Sequence, residues 1–232
     1  MLEKQQEIET ERQRLSELCL ELSKKRTSAA QELEKLVLAH LSELGMNNAQ
    51  FKVEVNRVPD ENGAVEIDGT RYRTSEQGID HIEFFISANP GEDLKPLARV
   101  ASGGEVSRIM LALKSSLAQA DKIPVLIFDE IDLGISGRIA QAVGLSLKRL
   151  SKTHQIICIT HLPQIASMGD CHFVVEKITS ERSTRTQIRK LADEERAVEI
   201  AKLLGGESVT VTHIQSAREL IQEAQKMGND PF

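Results

Sequence analysis

The sequence lacks the features that mark several common classes of protein. Its 232 residues include only three cysteines, none spaced as C-x-x-C, which favours free thiols in a reducing compartment over a disulfide framework. No stretch contains about 20 consecutive apolar residues, the length that a helix needs to cross a bilayer. The acidic first residues lack the cationic and apolar regions of a signal peptide. We therefore expect a cytoplasmic protein that does not enter a membrane.

An excess of basic charge is also missing. The formal net charge is −6, so the protein as a whole has no basic field that would hold nucleic acid. The net charge does not exclude a local basic patch, and charge alone therefore does not predict DNA binding.

The first 44 residues have the composition of one long helix. They contain no proline, the first glycine is Gly45, and Glu, Lys, Arg, Gln and Leu are dense. A mostly apolar seam recurs every seven positions, at Met1, Ile8, Leu15, Leu22, Ala29 and Leu36. The companion seam is mostly polar, so the pattern predicts a weak coiled coil or an arm cut from a longer one. The alternative is a lone surface helix that packs on the domain.

After this helix the apolar pattern changes twice. Residues 51–55 and 82–86 alternate between apolar and polar, which predicts half-buried antiparallel strands. Beyond residue 100, helical segments alternate with the continuous apolar runs 125–128 and 156–159. Such runs are typical of parallel strands covered on both faces. The sequence therefore predicts an α/β fold that follows an antiparallel section.

Two adjacent acids, Asp129 and Glu130, directly follow the first apolar run. Ligands of doubly wound sheets bind at the carboxyl ends of the strands, so we expect these carboxylates to face a binding site. Such a pair suits phosphate chemistry, because the first acid can hold Mg²⁺, directly or through water, and the second can polarise an attacking water. The alternative is a solvated pair of loop acids.

Two further elements are suited to binding phosphate. Thr160 and His161 follow the second apolar run, where a histidine can donate to a phosphate oxygen. Ser102, Gly103 and Gly104 precede a predicted helix, whose free N–H groups and positive dipole end can bind an anion. The alternatives are a structural histidine and an ordinary serine cap with flexible glycines.

In this order the three elements resemble the signature motif, Walker B strand and histidine switch of an ABC-type ATPase head. The stretches SANPGEDLKPLARVASGGEVSRIMLALK, IFDEIDLGISGRIAQAV and ITHLPQIASMGDCHF narrow the resemblance to SMC-like (structural maintenance of chromosomes) proteins of bacterial DNA repair. The implied fold is the C-terminal lobe of such a head, α/β with a P-loop NTPase-like sheet flanked by helices, an antiparallel strand section and an N-terminal coiled-coil helix. The implied domains are a coiled-coil arm segment, 1–44, and the lobe, 45–232.

The resemblance also implies a role for each matching residue. In such heads two ATP molecules lie between two protomers, and the signature of one protomer reaches the γ-phosphate bound by the other. The matching signature residues are Ser102, Gly103, Gly104 and Glu105. Asp129 would position Mg²⁺, Glu130 would be the general base, and His161 would contact the γ-phosphate in its own subunit. Asp132 and Ser136 would lie in a loop at the dimer interface, where Ser136 replaces the aspartate of most ABC-type proteins.

The phosphate-binding loop of such heads, G-x-x-x-x-G-K-S/T, does not occur in this sequence. In SMC-like proteins this Walker A loop belongs to an N-terminal lobe, so the resemblance implies a site completed by that lobe and by a second protomer. We expect the chain alone to bind ATP weakly and not to turn it over. The implied function is ATP hydrolysis coupled to DNA double-strand break repair at the bacterial nucleoid. A noncatalytic head that acts as a dimerisation or interaction module is the alternative, and a transporter subunit is disfavoured by the coiled-coil arm.

Overall fold

The computed structural model describes residues 2–100, 103–180, 183–206 and 208–229. Internal contacts divide the chain into two compact units. The first unit comprises Met1–Ser42 and Met46–Ala101, and the second comprises Glu43–Gly45 and Ser102–Phe232. The predicted division into an arm of residues 1–44 and a lobe of residues 45–232 concerns the roles of these parts, and it stays a prediction.

One long helix, α1 (Leu2–Glu43), confirms the prediction for the first 44 residues. Its buried residues form a stripe at spacings of four and seven: Cys19, Ser23, Ala30, Val37 and Leu41. The predicted coiled-coil seam lies elsewhere on the helix, and Ile8, Leu22 and Leu36 are exposed. The helix thus packs through one stripe and leaves much of the seam at the surface. No helix in the described ranges has the length and apolar character needed to cross a membrane.

The predicted antiparallel section follows α1 within the first unit. Its sheet has the order β1-β4-β5, from β1 (Gln50–Arg57), β4 (Asp80–Ser87) and the short β5 (Lys95–Pro96). A separate hairpin pairs β2 (Val65–Ile67) with β3 (Thr70–Tyr72). Phe51 lies opposite Ile86 in the β1–β4 register, so the apolar positions of the two strands share one face.

A buried carboxylate, Asp80, ties α1 to this sheet. Its side chain accepts hydrogen bonds from Ser23 Oγ at 2.7 Å and Arg26 Nη1 at 3.0 Å. Arg57 Nε lies 3.7 Å from the same carboxylate. Burying a charge is costly unless it is paired and hydrogen-bonded, and here both conditions are met. These contacts hold the middle of α1 against the sheet.

The second unit alternates helices and strands, which confirms the predicted α/β fold. It contains α2 (Gly103–Ser116), β6 (Val125–Phe128), α3 (Gly137–Leu150), β7 (Gln155–Cys158) and α4 (Pro163–Ala166). An antiparallel hairpin, β8 (Phe173–Ser180) and β9 (Ser183–Lys190), precedes α5 (Asp193–Gly205) and α6 (Val211–Asn229). Strands β6 and β7 are parallel, with Leu126 opposite Ile156, so their carboxyl ends lie side by side.

The β6–β7 pair is covered on one face only. Leu126 and Phe128 are 9% and 5% exposed, whereas Ile127 and Ile157 on the other face are 68% and 46% exposed. The sequence predicted that both faces are covered, and for the described residues this prediction was wrong. One face belongs to the buried core, and the described part of the chain provides no cover for the other. We call the exposed apolar residues of this pair, Val125, Ile127, Ile157 and Ile159, the open face.

Candidate functional site

The two acids that follow β6 lie in a tightly held turn. Ser107 Oγ of α2 donates to the backbone carbonyl of Asp129 at 2.7 Å. The N–H of Glu130 donates to Asp129 Oδ1 at 2.9 Å, and Glu130 has a φ of 57°, which residues other than glycine rarely adopt. Both acids are exposed. The structure thus places Asp129 and Glu130 at the carboxyl end of a parallel strand, where the sequence predicted them.

The glycines at the start of α2 lie against this turn. A Cβ atom on Gly103 would overlap Glu130 Oε2, so the carboxylate of Glu130 lies at the N-terminus of α2. A Cβ atom on Gly104 would lie 2.9 Å from both the Cβ atom and the carbonyl oxygen of Leu133. The pair therefore allows α2 to approach the chain's own loop 130–133, a reason for glycine that the sequence did not reveal. Ser102 lies outside the described residues, and Glu105 is partly buried in the first turn of α2.

The loop after β7 is held by Asp132. Thr160 Oγ1 donates to Asp132 Oδ2 at 2.6 Å, and the backbone N–H of His161 donates to the same oxygen at 2.9 Å. His161 Nδ1 lies 3.0 Å from Oδ2, and the side chains of His161 and Asp132 are 72% and 6% exposed, respectively. The structure therefore brings Asp132 and His161 together, with the carboxylate buried and the ring at the surface.

Arg108 of α2 holds the loop after β6, which carries Asp132, from the inside. Its Nη1 atom donates to the carbonyl oxygens of Leu133 at 3.0 Å and Ile131 at 3.4 Å. Burial lowers the pKa of this guanidinium, and the carboxylate of Glu105 opposes that shift. Arg108 is a site residue that the sequence motifs did not indicate. The available signal was its position three residues before the buried Leu111 of the same helix, where an apolar residue is expected.

Ser136 and Asp132, the two residues predicted to lie at a dimer interface, differ in their exposure to solvent. Ser136 is exposed and extended, with a φ of −159°, and its side chain makes no capping hydrogen bond to α3. Asp132 is buried and bonded within its own chain. The predicted place of both residues at a dimer interface stays a prediction. Sequence neighbours in this loop thus face opposite environments.

Cys158 is the last residue of β7 and lies close to Asp129 and Asp132. Burial raises the pKa of its thiol to about 12, and the negative charges of Asp132 and Asp129 add to the shift. Because the thiolate is the nucleophilic form, a thiol of this kind is inert at neutral pH. Cys158 therefore supplies packing rather than chemistry at the strand end.

The donor set at this site fits a metal ion that arrives with phosphate. Among the described ranges, no group of three or more His, Cys, Asp or Glu side chains could hold a metal ion. Magnesium, however, is commonly held by one or two carboxylates together with substrate phosphates and water. The exposed carboxylate of Asp129 can be such a ligand.

The fold is that of an SMC head domain. The Smc head domain of Pyrococcus yayanosii, solved with a coiled coil and joint, matches with a TM-score of 0.50 over 77% of this chain and 30% of that chain. The two sequences are 19% identical, so the likeness establishes the fold alone. No protein-family model matches the chain.

Proteins with similar sequences are DNA repair proteins. DNA repair protein RecN of Vibrio cholerae is 42% identical over 200 residues, which are 86% of this chain and 34% of that protein. RecN of Halalkalibacterium halodurans is 38% identical over 95% of this chain and 37% of its own length. RecN of Bacillus subtilis is 38% identical over 89% of this chain and 36% of its own length. The chain is therefore similar to RecN over most of its own length, and it spans about a third of the length of these relatives.

Proposed function

We propose that the chain is the C-terminal lobe of a RecN-like ATPase head that binds and hydrolyses ATP at a composite site. The observation that carries this proposal is the hydrogen-bonded assembly at one end of the β6–β7 pair. Asp129 and Glu130 follow β6, and His161 follows the parallel strand β7. The N-terminus of α2 lies against the turn that follows β6. Strand carboxyl ends and helix N-termini are the places where α/β proteins bind nucleotide phosphates. The RecN relatives and the SMC-head fold support the same assignment.

Each residue of the assembly has a distinct role in this proposal. Glu130 is the general base, and its exposed carboxylate takes the proton of the attacking water. Asp129 holds Mg²⁺, which when bound would neutralise charge on the phosphates of ATP. His161 donates from its exposed ring to the γ-phosphate in its own subunit.

An N-terminal lobe with a Walker A loop would complete the site. The sequence contains no G-x-x-x-x-G-K-S/T loop, and the RecN relatives are about three times as long as the matched region. The open face supports this step, because Ile127 and Ile157 belong to strands of the type that is normally covered on both sides. We propose that the N-terminal lobe covers the open face and brings the Walker A loop to Asp129.

A second protomer would supply the signature motif in trans. Ser102, Gly103 and Gly104 would contact the γ-phosphate bound by the opposite protomer, through the hydroxyl group and the free N–H groups that begin α2. ATP-dependent engagement of two heads would then be coupled to DNA in double-strand break repair, in the bacterial cytoplasm at the nucleoid. The name of the RecN relatives supports the repair role.

The test is reconstitution of the head. The chain is mixed with a separately expressed N-terminal lobe of the same protein, and Mg²⁺-dependent release of phosphate from ATP is measured. We expect turnover by the mixture and none by the chain alone. Glu130→Gln should slow turnover by at least about 10²-fold, the effect of losing a general base, and should leave ATP binding intact. Glu194→Gln, an exposed site on α5, is the matched control and should have no effect.

One observation favours the noncatalytic alternative, in which the head serves as a dimerisation module. Glu130 Oε2, although exposed, lies against Gly103 at the N-terminus of α2 in its own chain. If the reconstituted head forms ATP-dependent dimers but releases no phosphate, the alternative replaces our proposal. Turnover that is unchanged in Glu130→Gln would remove this residue from the mechanism.

A further inference from the structure

We propose that Asp132 is a positioning residue for His161, which fixes the orientation of the imidazole ring and keeps a proton on Nδ1, so that Nε2 faces the nucleotide site. The function of this arrangement rests on the proposed ATPase activity. The contact itself does not, and the two can be tested separately.

Three donors from the end of β7 converge on one oxygen atom of Asp132. Oδ2 accepts from Thr160 Oγ1 at 2.6 Å and from the His161 backbone N–H at 2.9 Å, and it lies 3.0 Å from His161 Nδ1. The first two bonds fix the backbone from which the ring projects, and the third fixes the ring. Hydrogen bonds to a carboxylate are about twice as strong as bonds between neutral groups. Asp132 therefore determines both the position and the rotation of the imidazole.

An ionised carboxylate can only accept hydrogen bonds, so Nδ1 must carry the proton when it bonds to Asp132. The tautomer of a neutral histidine is set by the hydrogen bond that one of its nitrogens makes, and here that nitrogen is Nδ1. Nε2 is then the nitrogen left for a ligand. To donate to a phosphate oxygen, Nε2 must gain a proton from solvent, and Asp132 then lies against the positive ring as its counter-charge.

The position of Asp132 is itself fixed from α2. Arg108 Nη1 bonds to the carbonyl oxygens of the residues on either side of Asp132, Ile131 and Leu133. Arg108 is 8% exposed, and its bond to Ile131 is buried while its bond to Leu133 is partly buried. Asp132 is thus anchored independently of β7, and His161 takes its orientation from Asp132 rather than the reverse.

The first test is spectroscopic and needs no activity. The full chain is labelled with ¹⁵N-histidine, and its ring nitrogens are recorded by NMR at about pH 8.5, two units above the reference value for a free imidazole. The signals of His161 are assigned by their loss in His161→Gln. We expect the Nδ1–H tautomer in the wild-type chain, the Nε2–H tautomer in Asp132→Ala, and a mixture in Asp132→Asn, whose neutral oxygen is a weaker acceptor.

Asp170→Asn is the matched control, because Asp170 is an exposed acid of the same unit that pairs with Lys148. It should leave the spectrum of His161 unchanged. A wild-type chain with the Nε2–H tautomer, or an unchanged tautomer in both Asp132 variants, would overturn the proposal. The Asn variant keeps the shape of the buried side chain, so the proposal stays testable if Asp132→Ala does not fold.

The second test uses the chain together with the N-terminal lobe. Asp132→Asn should lower kcat by about 10–100-fold, the effect typical of removing the partner that orients a functional histidine, with little change in KM. In a His161→Ala background the same change should have no further effect, because Asp132 acts through His161. An equal loss in both backgrounds would overturn the proposal. If the wild-type mixture has no ATPase activity, the proposed function fails, and the tautomer experiment alone decides the role of Asp132.

Discussion

Replacing Gly104 with alanine should destabilise the second unit, whereas the same replacement at Gly103 should not. At Gly104 the new methyl group would lie 2.9 Å from the Leu133 carbonyl oxygen and 3.2 Å from the Glu130 carbonyl oxygen. Both obstacles are backbone atoms, and Arg108 holds the carbonyl of Leu133 in place. At Gly103 the obstacle is the end of the Glu130 side chain, which can rotate away.

The two changes differ in the balance of crowding and helix propensity. Forcing an extra methyl group into a packed site costs about 1–3 kcal/mol. Alanine in place of glycine within a helix recovers up to about 1 kcal/mol, and less in the first turn. Gly104→Ala should therefore lower the free energy of unfolding by about 1–2 kcal/mol. Gly103→Ala should leave it unchanged or raise it by up to about 0.5 kcal/mol.

Urea unfolding and thermal melting of the full chain would measure this difference. For a chain of this size, about 1 kcal/mol corresponds to a shift of about 2–4 °C in Tm. Amide hydrogen exchange in loop 129–133 should also quicken in Gly104→Ala, because the loop must move to admit the methyl group. If Gly104→Ala is as stable as the wild-type chain, or if Gly103→Ala is the more damaging change, our explanation of the glycine pair is wrong.

Two further predictions concern the dimer interface and the cysteines. In a reconstituted head that carries Glu130→Gln, Ser102→Arg should abolish ATP-dependent dimers, measured by light scattering, while monomeric heads keep their affinity for ATP. Loss of affinity in the monomer would place the serine at its own nucleotide, and persistent dimers would remove it from the interface. Iodoacetamide should modify the exposed Cys171 first, and Cys158 should resist, since burial and neighbouring carboxylates raise its thiol pKa to about 12. Mass spectrometry of a time course checks this order, and equal rates at the two cysteines would contradict it.

The elements that the sequence predicted are those whose signal is local. The helix-favouring composition of the first 44 residues, without proline or glycine, is enough to predict α1. Alternation over residues 51–55 and 82–86 is enough to predict β1 and β4. The placing of Asp129 and Glu130 at the end of β6 needed only the apolar run before them. Each of these inferences uses a window of a few residues, in which backbone geometry follows directly from residue type.

The roles of Asp132 and Arg108 could not be predicted in this way. Asp132 bonds to Thr160 across 28 positions of the sequence, and Arg108 bonds to Leu133 across 25. The direction of Asp132 also depends on Glu130, whose φ of 57° breaks the regular alternation of side chains beyond the strand. The place that the resemblance implies for Asp132, at a dimer interface, stays a prediction, and within the single chain this carboxylate is buried.

At the open face, the residue types of the strands predicted a cover on both sides, and the described residues of the chain alone provide a cover on one side only. Ile127 and Ile157 have the residue types of strands buried on both sides, yet both are well exposed here. Exposed apolar area costs roughly 25 cal/mol per Å², so such side chains on a monomer indicate a surface that is meant to be covered. The described residues supply no such cover, and the RecN relatives extend well beyond the matched region. The apolar pattern of β6 and β7 is therefore evidence for the proposed N-terminal lobe, while the contact between Asp132 and His161 already exists without it.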